Sequence, residues 1–170
     1  MATIIIGLAF GRKNKGQDGL CPTNVEIARI IKQYVDEQKD TQCKVVAQGE
    51  VREYLESHDV TVDVEILEVR DDGTWVDTWL CVRVIRYVIK TLKLKSPEII
   101  LVAFPSHIWR IRIPWRKFGL PSFTIPEEVD DIGFPGKKGS KDRWTQNWYT
   151  WHPYNALGVL IYILKYIFTR

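Results

Sequence analysis

The chain is poor in the residues that staple small secreted domains or build metal centres. Its three cysteines, Cys21, Cys43 and Cys81, are odd in number and widely spaced, with no CxxC pair. That argues against a disulfide framework and against a zinc site. Cys43 and Cys81 lie in apolar runs and read as core thiols. No stretch reaches the roughly 18 apolar residues that a membrane span needs. The N-terminus passes from Met1-Ala2-Thr3 straight into Ile4-Ile5-Ile6, without the positive start and long apolar region of a signal peptide, so the expected location is the cytoplasm. An excess of either charge is also missing. Twenty-four basic residues against 21 acidic ones leave a net charge of +3, too little for a nucleic-acid-binding composition. The basic residues do gather locally, at Arg110, Arg112, Arg116 and Lys117 and again at Lys137, Lys138, Lys141 and Arg143.

What is present suits one domain spanning residues 1–170. The sequence is 45% hydrophobic and 26% charged, enough to bury a core at this length, and it shows no internal repeat or linker. Five apolar runs have strand length: Thr3 to Ala9, Cys43 to Ala47, Val62 to Val69, Glu98 to Phe104 and Ser122 to Ile125. The first and fourth are continuous rather than alternating, as in strands buried on both faces. Between the first two, Val25, Ile27, Ala28, Ile30, Ile31, Tyr34 and Val35 recur at helical spacing. Trp75 to Leu92 does the same between the third and fourth. This alternation predicts an α/β fold with a mostly parallel central sheet of about five strands between helical layers. Thr23-x-x-Glu26 and Thr74-x-x-Asp77 read as capping boxes opening those two helices. A Gly/Pro-rich loop is expected from Pro126 to Arg143. A last helix, from about Pro153 to Phe168, is apolar nearly all round; such a helix is buried in the core, in a partner or on a membrane surface, and burial in the protein is the favoured expectation.

The residues that carry chemistry follow the strands, where ligands bind in α/β proteins. After the first strand, Gly7 and Gly11, followed by Gly16 and Gly19, would let backbone approach a ligand. Lys13 and Lys15 would favour an anion. The spacing is neither GxGxxG nor a P-loop. After the second strand, Gly49 permits close approach, and Glu50 suits either a ligand hydroxyl or the first turn of a helix. After the third, Thr74 and Asp77 combine capping with an anion-binding helix start. After the fourth, Ser106, His107 and Arg110 arrive within five residues. His107 and Arg110 lie one turn apart on a common face. Histidine exchanges a proton near neutral pH, and arginine grips phosphate or carboxylate through paired hydrogen bonds. Ser106 lacks the glycines of a nucleophile elbow and reads as a helix cap.

Taken together these strand ends resemble the YdcF-like family, which includes the SanA and ElyC proteins. Val102 to Arg110 is similar to the family's stretch ending His-Met-x-Arg, with Ile108 in place of methionine. Thr74 matches the threonine of an Asn-Thr-x-Glu-Asn element in which Gly73, Val76 and Asp77 depart from the pattern. Gln48-Gly49-Glu50 resembles a Ser-Gly-Gly turn, and Gly7 and Gly11 resemble the first glycine-rich loop. Ala156 to Tyr162 is similar to the closing Glu-x-x-Gly-x-x-x-Tyr helix, without its glutamate. The resemblance covers most of the chain in order. It implies a Rossmann-like three-layer fold with a pocket at the strand ends.

The expectation is therefore a small-molecule-binding Rossmann-like domain that recognises an anionic or nucleotide-like ligand. Gly7, Gly11, Gly49, Glu50, Thr74, Asp77 and Arg110 would bind that ligand, Trp75 or Trp109 would stack on a base or ring, and His107 would be the proton-transferring group. A hydrolase or transferase acting on a phosphorylated or nucleotide-linked substrate is compatible with this set, and no particular cofactor is indicated. The alternative is a non-catalytic interaction or homo-oligomerising domain, suggested by seven tryptophans and the apolar last helix. Single-stranded nucleic-acid binding through Trp109, Trp115 and the neighbouring arginines ranks third.

Overall fold

A computed structural model describes residues 2–11, 19–38, 43–67, 77–93, 96–136, 140 and 145–168. Strands β1 (Thr3–Leu8), β2 (Cys43–Gln48), β3 (Val64–Ile66) and β4 (Glu98–Ala103) form one sheet in the order β3-β2-β1-β4. Every pairing is parallel: Ile5 faces Val45 on one side and Ile100 on the other, and Val46 faces Val64. All six residues of β1 are buried, as its unbroken Ile-Ile-Ile run requires of a central strand covered on both faces.

Helices α1 (Pro22–Glu37), α2 (Gly49–Ser57), α3 (Thr78–Thr91) and α4 (Pro105–Lys117) follow the four strands in turn, and α5 (Trp148–Phe168) closes the described chain. The architecture is α/β, with an all-parallel sheet flanked by helices in the Rossmann-like three-layer manner. Gly7 shows how closely the layers meet. A Cβ there would lie 2.4 Å from Ile31 Cδ1 of α1 and 3.0 Å from Val51 Cγ1 of α2.

Among the described residues the sheet has four strands rather than five. The fifth apolar run contributes one parallel bridge, Thr124 to Ile100, through Thr124 N–H to Ile99 O (2.8 Å) and Leu101 N–H to Thr124 O (2.9 Å). Pro121 and Pro126 flank the run and have no N–H to extend the ladder. The third run is a strand only at Val64–Ile66, and its end lies outside the described residues.

Both helix starts differ from the capping boxes. Pro22 opens α1 with Cys21 as N-cap, so Thr23 already sits inside the first turn. Its hydroxyl donates instead to Gly133 O at 2.8 Å, and Glu26 pairs with Arg29. Asp77 is itself the N-cap of α3, its carboxylate accepting from Leu80 N–H at 2.9 Å. Thr74 and Trp75 lie outside the described residues. The last helix also differs: α5 begins five residues before Pro153, runs through it, and leaves much of its apolar surface exposed.

Candidate functional site

The strand order reverses between β1 and β4, and the crevice outside their carboxyl ends is where ligands enter folds of this kind. Here that crevice is filled by rings from the chain itself. Phe10, just after β1, stacks on Phe104, just after β4, with centroids 4.0 Å apart. Trp151 of α5 meets Phe10 edge-on at 4.6 Å, and Phe134 lies 4.6 Å from Phe104. Such pairs add attraction beyond their burial, so the rings lock the two strand ends together.

A buried polar network fixes the backbone beside this plug. Asn24 Oδ1 accepts from Phe10 N–H at 2.7 Å, and Asn24 Nδ2 donates to Gly11 O at 2.9 Å and to Glu50 Oε2 at 3.2 Å. The same Glu50 oxygen accepts from Cys21 N–H at 2.6 Å. Glu50 therefore ties the start of α2 to the start of α1, and Asn24 ties both to the turn after β1. Gly11 occupies the left-handed region at φ 74°, where a Cβ would fall 2.6 Å from both Ser140 Oγ and Thr145 Oγ1. Gly49 also has positive φ, at 46°. Gly7, Gly11 and Glu50 thus stand in close packing or in this network. Asn24 was not singled out from the sequence, because an asparagine in an amphipathic helix gives no signal until its partners are known.

His107 and Arg110 do share a face of α4. His107 Nε2 lies 2.9 Å from Thr78 Oγ1 at the start of α3, and its Nδ1 is buried with no hydrogen-bond partner. Burial and, second, the charge of Arg110 push the imidazole down to a pKa of about 3, so it is neutral at physiological pH. Arg110 is 7% exposed, and its guanidinium turns towards α5. The guanidinium carbon lies 5.2 Å from the Tyr162 ring, 5.4 Å from Tyr154 and 5.7 Å from Trp151, within cation–π range of each. Arg110 Nη2 lies 3.4 Å from Tyr162 Oη. Gly158 makes the space, since a Cβ there would fall 2.9 Å from that guanidinium carbon. The rings of His107 and Trp151 lie 6.1 Å apart, so Trp151 borders both polar side chains.

An open space remains on the other side of α4. A cavity of about 490 Å³ is lined by Pro105, Ser106 and Ile108 at the start of α4, by Trp109 and Arg112 further along it, by Ile125 and Asp130, and by His152 and Asn155 of α5. Ser106 accepts a hydrogen bond from Trp151 Nε1, and Asn155 Nδ2 donates to Ser106 O at 3.2 Å. These bonds fix the cavity wall to the plug. The guanidinium of Arg112 lies 5.3 Å from the exposed Trp109 ring. A cation, an aromatic face, a carboxylate, a hydroxyl and an imidazole therefore surround one space near the carboxyl end of β4. Of these, Ser106 at the strand end and Trp109 as a stacking ring stood out in the sequence; Arg112 stood there only in a basic cluster, and Asp130 and His152 gave no signal as site residues.

No family model, curated protein or solved structure matches the chain.

Proposed function

We propose that this protein is a Rossmann-like ligand-binding domain that takes an anionic or nucleotide-like small molecule near the carboxyl end of β4. One observation carries the reading: the cavity of about 490 Å³ at the start of α4, a size suited to a small organic ligand. Arg112 supplies the anion contact through its paired donors, and Trp109 supplies a face on which a base or ring can stack.

Binding is a better account than acid–base turnover by His107. A general base is most effective with a pKa near the working pH, and this imidazole titrates near pH 3. A hydrolase or transferase step would have to draw on groups lining the cavity, such as Asp130 or His152. Kinship with the YdcF-like family belongs to the same proposal. Gly158 and Tyr162, at the spacing of that family's closing helix, both meet Arg110, the arginine of the other shared motif. Asn155 stands three residues before Gly158, where the family has its glutamate.

The test is a thermal-shift screen of the wild-type protein and Arg112→Ala against nucleotides, S-adenosylmethionine, sugar phosphates and simple anions. A ligand held at the cavity raises the melting temperature of the wild type and has a much smaller effect on Arg112→Ala. A panel that stabilises neither protein rejects the reading.

A further inference from the structure

The α5 helix has a covered side and an uncovered one. Trp151, Asn155, Gly158 and Tyr162, spaced four, three and four apart, face α4. The rest is an apolar ridge: Leu157, Leu160, Ile161, Leu164, Ile167 and Phe168 are each 43–78% exposed. At 100° per residue these six positions cover roughly a third of the helix circumference, on the side away from α4. Isolated exposed leucines are ordinary, but a contiguous apolar ridge marks an interaction surface.

Charge indicates what covers it. Helices α4 and α5 together contain Arg110, Arg112, Arg116, Lys117 and Lys165 and no Asp or Glu, which leaves 19 basic residues against 21 acidic ones in the rest of the chain. The net positive charge of the protein therefore resides on these two helices. Arg112 and Arg116 line a groove of about 470 Å³ with Val159, Ile163 and Tyr166 of α5, and Lys117 Nζ donates to Tyr166 O at 2.9 Å, so cations border the ridge. Exposed Trp148 and Tyr149 begin the helix, and Tyr166 stands near its end.

We propose that α5 docks this protein onto an anionic membrane surface, lying in the plane of the bilayer with its ridge among the acyl chains and the exposed α4 cations Arg112 and Arg116 at the headgroups. The surface combines the apolar ridge of α5, aromatic rings at the ends of that helix and basic residues supplied by the neighbouring α4, so the two helices together offer the apolar and cationic faces that hold a protein at a bilayer interface. Among the described residues no helix is long and apolar enough to cross a membrane. Leu157 to Phe168 is about 18 Å long, short of a span. A second copy of the chain is the poorer occupant, because it would bring like charges together. A ridge, unlike a cleft, also needs no shaped partner, and a fluid apolar phase accommodates it.

The test is co-sedimentation of the full chain with vesicles of phosphatidylcholine alone or with about one third phosphatidylserine. Binding to the mixed vesicles is expected, weakening as salt rises. Leu160→Asp combined with Leu164→Asp should lower the partition at least tenfold. Arg116→Gln should lower it about fivefold on the mixed vesicles, the worth of one surface cation. If the double variant melts below the wild type, quenching of wild-type tryptophan fluorescence by brominated acyl chains replaces it: quenching supports docking, and its absence overturns it. The proposal is also overturned if the protein ignores both vesicles, if the folded double variant binds like the wild type, or if the ridge substitutions only dissociate a dimer.

Discussion

His107 gives this protein an acid-sensitive contribution to stability. The unfolded chain holds that group near its ordinary pKa of 6.5, and the folded protein holds it near 3. Between those values the unfolded state binds the proton and the folded state does not. Stability conferred by the neutral ring is therefore complete above pH 6.5 and is lost as pH falls towards 3. The slope is at most about 1.4 kcal/mol per pH unit. Urea melts between pH 7 and 4 should show this loss, and His107→Gln should flatten it. Asn24→Ala should cost about 2–4 kcal/mol by the same measurement at pH 7, because it strands the buried Phe10 N–H and removes a donor from Gly11 O. Of these two residues only His107 was legible in the sequence. A histidine at the end of an apolar run stands out, whereas the worth of Asn24 depends on partners up to 26 positions away. The sequence showed that His107 and Arg110 share a face, but not that each would turn to a different helix.

Helix α5 is held along one side by α4, and Gly158 marks a place where the two helices meet closely. Gly158→Ala puts a methyl against the Arg110 guanidinium, which Tyr154, Tyr162 and Trp151 surround. Overpacking costs about 1–3 kcal/mol, offset in part by the roughly 0.5–1 kcal/mol that alanine gains over glycine inside a helix, so a net loss is expected. It should appear first as faster amide exchange in α5 while β1 and β4 stay protected. The existence of this helix was readable from its composition, but its setting was not. An all-round apolar helix is usually buried, and only the structure reveals that the body of the protein covers one side alone. Local competition likewise decided the two capping boxes. Pro22 starts α1 before Thr23 can cap it, and Asp77 serves as N-cap itself.

The whole molecule is a parallel sheet whose order the sequence could not supply, because β-α-β alternation fixes the direction of strands and not their neighbours. The order β3-β2-β1-β4 puts the ends of β1 and β4 side by side. The same order brings Phe10, Phe104, Phe134 and Trp151 together in that crevice, and an open cavity lies on the other side of α4. Aromatic residues from four separated segments meet there, a convergence with no local pattern.

The central claim is that this cavity binds an anionic, ring-bearing molecule. The most direct test is calorimetric titration of the wild type, Arg112→Ala and Trp109→Ala with the common nucleoside diphosphates. Both substituted residues are exposed, so the fold should survive. The account predicts saturable one-to-one binding by the wild type, and a loss of about tenfold or more on removing the charged donor at Arg112, with a further loss at Trp109. No binding to any diphosphate, or equal affinity for all three proteins, would contradict it.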